Sequence, residues 1–336
     1  MDTLDKAILN IIQGAFPLVP RPYQAIGQQI AISEREAFER IEALKRRKII
    51  RRLGGIFDSR NLGYVSTLCA ARVPAAKIPQ LAEFMLDITE ITHNYLRNHF
   101  YNMWFTVIAC SERRLKQILD SIRKVLGSNE VYSLPAEKIF KIEVRLSFKD
   151  GGLSPKVPST GSFGQIGRKT PATKITITEQ DKALIRLIQD NLPASLTPFA
   201  DIARELQRDE HDVLTTLQKF LDIGILRRLV AILYHQKAGF TSNAMGVWSV
   251  PEQRVDEVGY KLASFAEVSH CYQRSTPPSF PYNLFTMVHA RSDEECRALM
   301  AKMAEKVNIT NYTMLFSHTE LKKSSMRYFL EPCGVC

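Results

Sequence analysis

Apolar residues recur every three or four positions over residues 4–12, 22–30 and 33–46, a period that predicts three short amphipathic helices. Ser33 stands where the third helix should start, with Glu36 three positions on, the spacing of a capping box. An extended run from Ile49 to Leu53, the pair Gly54-Gly55 and another short strand follow, which completes a winged helix-turn-helix. The pattern then alternates: strand over 64–73, helix over 75–87, strands over 90–97 and 101–110, helix over 112–126, and a last strand opening at 131–133. That β-α-β-β-α-β order predicts a ferredoxin-like unit, a four-stranded antiparallel sheet with both helices on one face. The whole succession then returns, with helices over 181–189, 199–206 and 209–220, an extended 225–232, and strands or helices over 241–250, 252–264, 267–274, 282–291, 293–307 and 311–317.

The repeat is visible residue by residue. Asp5-Lys6-Ala7-Ile8-Leu9 matches Asp181-Lys182-Ala183-Leu184-Ile185 at a spacing of 176, and Pro17/Pro193, Pro22/Pro198, Ile26/Ile202, Arg51-Arg52/Arg227-Arg228 and Gly63-Tyr64/Gly239-Phe240 keep it. The fold class is therefore α+β: a tandem duplication, each half a winged helix-turn-helix followed by a ferredoxin-like domain. The expected boundaries are 1–60 and 61–149, a flexible Gly/Ser/Thr/Pro-rich linker at 150–173, then 174–236 and 237–330, with a tail at 331–336. Two such copies are expected to face each other as a pseudo-symmetric dimer within one chain; a further homodimer is left open.

One repeated segment is not explained by a repeated core. His93-Asn94-Tyr95-Leu96-Arg97 is followed by Tyr101-Asn102-Met103-Trp104, and His270-Cys271-Tyr272-Gln273-Arg274 by Tyr282-Asn283-Leu284-Phe285. On a strand, residues two and four apart share a face, so each half presents a His, a Tyr and an Arg on one surface. Such a pair of clusters suits a pocket for an anion.

Composition narrows the class. With 45% apolar and 24% charged residues the chain reads as globular. No run reaches the roughly eighteen apolar residues of a membrane span, and Met1-Asp2-Thr3-Leu4-Asp5 does not open like a secretory signal, so the expected compartment is the cytoplasm. Six scattered cysteines are no disulfide framework. Cys333-Gly334-Val335-Cys336 lacks a second cysteine pair to complete a zinc site. No phosphate loop, HExxH pair or serine-hydrolase elbow is present. A formal charge of +10 fits a polyanionic partner, either nucleic acid or an organic polycarboxylate. A helix-turn-helix reads DNA with the start of its second helix. Here those starts are Ser33-Glu34-Arg35-Glu36 and Asp209-Glu210-His211-Asp212, and acidic residues facing phosphate are costly, so no DNA partner is expected.

The Arg51-Arg52-Leu53-Gly54 exit, the Gly63-Tyr64 strand entry and the Tyr101-Asn102-Met103-Trp104 segment resemble the sirohaem (siroheme) decarboxylases, relatives of the Lrp/AsnC-type regulators. The resemblance covers nearly the whole chain, and this chain looks like a fusion of the family's two homologous subunits, residues 1–149 and 174–336. It implies a carboxy-lyase that removes CO2 from the acetate side chains at ring carbons 12 and 18 of sirohaem. The product would be 12,18-didecarboxysirohaem, on the way to haem d1 or protohaem. No separate cofactor is implied, since the substrate carries the iron. The alternatives are an Lrp/AsnC-type DNA-binding regulator and a non-catalytic haem or sirohaem carrier.

In that light the residues take provisional roles. His93 and His270 are proton donors to the carbon that loses CO2, with Tyr95 and Tyr272 orienting a carboxylate or relaying a proton. Arg97 and Arg274 each grip a carboxylate. His99, Tyr101, Asn102, Trp104, Tyr282 and Asn283 are candidates to bind substrate, although both Tyr-Asn pairs equally suit a strand-entry turn. Phe100, Trp104, Phe105, Phe280 and Phe285 supply either an apolar slot or sheet core. His289 or His318 is a candidate axial ligand to the substrate iron; the alternatives are a solvent-facing side chain and a turn residue.

Overall fold

A computed structural model describes residues 1–142, 147–149, 152–154, 176–234 and 242–330. The first half runs α1 (Thr3–Gly14), α2 (Pro22–Ile30), α3 (Glu34–Arg46), β1 (Ile50–Phe57), β2 (Val65–Ala71), α4 (Ile78–Leu86), β3 (Ile91–Arg97), β4 (Met103–Ala109), α5 (Glu112–Leu126) and β5 (Val131–Ile142). A short ladder of β6 (Ser147–Lys149) with β7 (Gly152–Ser154) follows, overlapping the start of the expected linker. The second half runs α6 (Glu179–Ile188), α7 (Pro198–Glu205), α8 (Glu210–Asp222), β8 (Leu226–Leu233), β9 (Ser242–Trp248), α9 (Val255–Ala263), β10 (Val268–Arg274), β11 (Leu284–Ala290), α10 (Asp293–Val307) and β12 (Tyr312–Lys323). The rest of the linker, the Gly239-Phe240 repeat and the Cys333/Cys336 pair lie outside the described residues. The described cysteines Cys69, Cys110, Cys271 and Cys296 are all free thiols.

Each helical trio is shaped by local chemistry. Ser33 caps α3 by accepting from the Glu36 amide at 3.1 Å, but the Glu36 carboxylate turns to Arg40 at 2.9 Å, so the expected capping box is only half made. The complete box is at α6, where Thr178 and Asp181 bond each other's backbone. Pro22 and Pro198 open their helices at a position where a missing N–H costs nothing.

The two halves are interleaved, and this alters the expected wing. Gly54-Gly55 does not turn: β1 is continuous, and its strand partner is β8 of the other half, antiparallel. Gly54 pairs with Val230, its own counterpart in the repeat, so the pseudo-two-fold axis passes through that pair. On the other side of β1, the Leu53 amide and carbonyl are held by Asn191 Oδ1 and the Leu192 N–H, each at 2.9 Å. A Cβ at Gly54 would lie 1.9 Å from the Asp190 carbonyl oxygen, which is why glycine stands there.

Each half has the ferredoxin-like strand order, β3-β4-β2-β5 and β10-β11-β9-β12. The last strand of each is much longer than its alternation predicts, and its second part crosses over: β5 pairs with β2 and then with β10, β12 with β9 and then with β3. The two sheets thereby close into one eight-stranded barrel. Separate apolar cores lie under α4/α5 and under α9/α10. Tyr101, Trp104, Phe280, Phe285 and Leu315 belong to a further core formed jointly by the two halves.

Candidate active site

Barrel strands alternate inward and outward residues, and on β3 and β10 the inward set is the repeated triplet. His93, Tyr95 and Arg97 line the same cavity as His270, Tyr272 and Arg274. The cavity holds about 480 Å³, within the range of small-molecule sites. Phe57, Asp58 and Arg60 from the β1 end and Arg227 on β8 complete its wall, so the strands of the winged helix-turn-helix domains help to enclose it.

A bulge recurs at equivalent places. Pairing with β4 slips between Ile91 and His93, and pairing with β11 slips between Val268 and His270. Bulges re-aim side chains, and here each sets a hydroxyl beside its imidazole. Thr92 Oγ1 lies 3.0 Å from His93 Nδ1, and Ser269 Oγ lies 2.9 Å from His270 Nδ1. The rings of His93 and Tyr95 stack at 6.3 Å between centroids, those of His270 and Tyr272 at 6.0 Å.

Arg97 and Arg274 are matched as closely. Each donates one Nη1 bond to a carbonyl at the join between halves, Arg97 to Leu315 at 2.6 Å and Arg274 to Leu134 at 2.7 Å. Neither has a carboxylate partner among the described residues, and both Nε groups are buried without an acceptor. Burial lowers each guanidinium's pKa to about 10, so both remain cationic at neutral pH. Buried charge is ordinarily paired; this pair faces a cavity instead.

Burial, helped by Lys323 and Arg51, pulls the His93 pKa from 6.5 down to about 4. Burial first, then His289, His93, Arg274 and Arg227, pulls that of His270 down to about 3. Burial raises the pKa of both Tyr95 and Tyr272, so they are phenols, and the Tyr95 hydroxyl donates to Glu320 at 3.3 Å. The site therefore presents neutral imidazoles and phenols beside fixed guanidinium charge.

Other candidates fall elsewhere. Asn102 and Asn283 do not line the cavity: each amide is used on backbone, clamping Val73 (2.9 Å both ways) and Val250 (2.8 and 3.0 Å). Tyr101 is buried with its hydroxyl on Ser279 at 2.7 Å, His99 accepts from the Tyr101 amide at 3.1 Å, and Tyr282 packs on Phe280. His318 is exposed and bonded to Thr319 at 3.0 Å, outside the cavity. His289 does line it, but its Nε2 is held by Ser269 at 2.8 Å, so the axial-ligand role expected of His289 or His318 is not carried further. Trp104 lines it through its ring, its N–H being bound to the Tyr101 carbonyl at 2.6 Å. Of the remaining aromatics, Phe285 lines the cavity and Phe280 packs beside it; Phe105 belongs to the core under α4/α5, and Phe100 is exposed against Arg72. Arg60, Arg227, Lys323 and Thr92 also line the cavity, Ser269 stands behind His270, and Arg51 acts on His93 only through its charge. Arg51/Arg227 and Thr92/Ser269 were detectable as repeats, a hydroxyl preceding the His in both copies.

A model of the AsnC-like ligand binding domain matches residues 61–141 and 237–322, and one of the siroheme decarboxylase NirDL-like HTH domain matches residues 5–51 and 181–227. The siroheme decarboxylase of Hydrogenobacter thermophilus is 36% identical over 96% of this chain and 94% of its own. The chain belongs to the siroheme decarboxylase family. A separate beta subunit from Oleidesulfovibrio alaskensis is 44% identical over 46% of this chain and 98% of its own length, in keeping with a family subunit that corresponds to one half. The crystal structure of the siroheme decarboxylase NirDL in co-complex with an iron-uroporphyrin III analogue aligns with a TM-score of 0.75 at 31% identity, covering 97% of this chain and 95% of that one. Family membership thus joins the duplicated fold to a barrel cavity carrying two His-Tyr-Arg triplets. Among the described residues no helix is long and apolar enough to cross a membrane.

Proposed function

We propose that this chain is a carboxy-lyase that removes CO2 from the acetate side chains at carbons 12 and 18 of sirohaem, giving 12,18-didecarboxysirohaem. The observation that carries the reading is the pair of guanidinium groups, Arg97 buried and Arg274 half-buried, that lie in one cavity with buried, unpartnered Nε atoms and no carboxylate partner among the described residues. Such charges need an anionic partner, and a polycarboxylate brings one for each. The macrocycle lies between the two halves, with Trp104 and Phe285 against its face. Arg60 and Lys323 meet further carboxylates nearer the helix-turn-helix side, where Arg227 is paired with Asp58.

Each reaction breaks one C–C bond. CO2 leaves, the electron pair stays on the ring-bound carbon in conjugation with the macrocycle, and a proton converts that carbon to a methyl group. His93 and His270 deliver it. The step consumes one proton per CO2 and no electrons, so it needs no separate organic cofactor; the iron enters as part of the substrate.

DNA is not a proposed partner. Asp209 caps α8 through the His211 amide at 2.8 Å, Asp212 pairs with Arg208 at 2.8 Å, and Glu34 pairs with Arg21 at the start of α3. The first turn of each second helix is thus acidic, with Asp209, Asp212 and Glu34 engaged within the protein. The test is anaerobic incubation of the purified protein with sirohaem, followed by mass spectrometry and a gel shift at moderate salt. A product lighter by two CO2, with no sequence-selective shift, is expected. Bound but unaltered sirohaem would reduce the protein to a carrier.

A further inference from the structure

The two histidines are equivalent in sequence but not in surroundings. His93 lies across from Lys323 on β12, whereas His270 lies across from Ile142 on β5. The larger difference is one residue on the neighbouring strand. His289 on β11 occupies the position that Ile108 holds on β4, as their pairing with the equivalent residues Asn243 and Ser66 demonstrates. Ser269 is 5% exposed, and its Oγ lies 2.9 Å from His270 Nδ1 and 2.8 Å from His289 Nε2. In the first half the Thr92 hydroxyl reaches His93 at 3.0 Å, and the chain goes no further, because Ile108 offers no proton; His93 must therefore take up a proton from solvent, as an imidazolium, before it delivers one.

We propose that His289 and Ser269 form a proton-delivery chain to His270, confined to the second half, which makes His270 the acid that can be resupplied from behind. The proposal rests on the decarboxylase reading and deepens it. A hydroxyl has one proton and two lone pairs, so Ser269 can donate to one ring while accepting from the other. That matters because burial keeps His270 neutral near pH 7. A neutral imidazole that gives up its Nε2 proton is left as an anion unless Nδ1 receives a proton in the same step.

The step balances. CO2 departs, and the carbon's electron pair takes the proton from His270 Nε2. His270 Nδ1 takes the Ser269 hydroxyl proton, and Ser269 Oγ takes the proton from Nε2 of a protonated His289. His270 ends neutral in its other tautomer, Ser269 ends as a hydroxyl, and His289 ends neutral, to be reprotonated from solvent. The groups facing the chain are His93 on β3, Tyr272 and Arg274 on β10, and Arg227 on β8. Burial first, and then the cations among them, disfavour a standing imidazolium at His270, so delivery in step with carbon protonation replaces storage of charge.

The test is anaerobic sirohaem turnover by the full chain and by Ser269→Ala, Ser269→Thr and His289→Ile, recording kcat, KM and the pH–rate profile, with folding checked by circular dichroism. Ser269→Ala and His289→Ile should each lower kcat about 10²-fold with KM nearly unchanged. Their rate should climb as pH falls, because His270 must then be protonated directly. Ser269→Thr, the residue type of the first half, should restore the rate and the profile. If Ser269→Ala does not fold, His289→Ile carries the test, since Ile108 already sits at that place in this fold. Wild-type kcat and profile in His289→Ile would overturn the chain alone. Loss of activity through KM with no rescue by Ser269→Thr would also overturn it, as a packing role. A wild-type protein that releases no CO2 would overturn the decarboxylase reading itself.

Discussion

Arg97 and Arg274 illustrate what a substrate-shaped charge costs the empty protein. Arg97 is buried and Arg274 half-buried with its Nε enclosed, each with one backbone acceptor and no counterion among the described residues, an arrangement that burial of a charge penalises by several kcal/mol. Arg97→Met or Arg274→Met should leave thermal stability unchanged or raise it by up to about 2 kcal/mol. The same variants should weaken sirohaem binding roughly 30-fold or more, because a substrate carboxylate loses a buried, charge-assisted partner. A melting curve and a spectroscopic titration decide this; a lowered Tm with intact binding would make both arginines structural. The histidines carry a signed pH dependence. Their pKa values fall from 6.5 to about 4 and about 3 on folding, so the unfolded chain binds more protons than the native one between those limits. Their contribution is complete above pH 6.5 and is lost as pH falls toward 4 and below. Tm measured from pH 7 to pH 4 should therefore drop less in a His93→Gln/His270→Gln variant than in the wild type.

At the level of elements, the strands that join the halves are the ones alternation describes least well. The helices, the strand order of each half and the inward face of β3 and β10 were legible, because local periodicity and capping specify them. The extensions of β5 beyond residue 135 and of β12 beyond residue 317 were not, because each is paired with the other half rather than with a neighbour in sequence. Gly54-Gly55 reads as a turn for the same reason: nothing local reveals that β8 lies on one side and the 190–192 loop on the other. The site divides likewise. The His, Tyr and Arg triplets were found because repetition marks them, whereas the Asn102 and Asn283 amides are repeated for a structural purpose, fastening Val73 and Val250. Gly54→Ala tests the interleaving: with backbone 1.9 Å from the new Cβ, it should destabilise the fold by about 1–3 kcal/mol in a denaturant titration. An unchanged midpoint would mean that β1 is not held against that loop.

For the molecule as a whole, the barrel closes only through β3–β12 and β5–β10, and the cavity is built from both halves. Two halves made as separate chains should thus assemble with each other, and neither alone should enclose the mixed cavity. Size-exclusion chromatography of the co-expressed pieces should give a one-to-one complex that binds sirohaem; independently folded monomers would contradict the shared barrel. Duplication supplied two copies of one acid, and later divergence left His289 opposite Ile108 and Lys323 opposite Ile142, so the copies no longer face the same half-site. The central claim is that these two histidines protonate the decarboxylated carbons from opposite sides of one shared cavity. Its most direct test is the anaerobic turnover rate of His93→Ala and His270→Ala, each measured beside its affinity for sirohaem. Each should lose about 10²-fold in rate while still binding; wild-type turnover in both variants would contradict it.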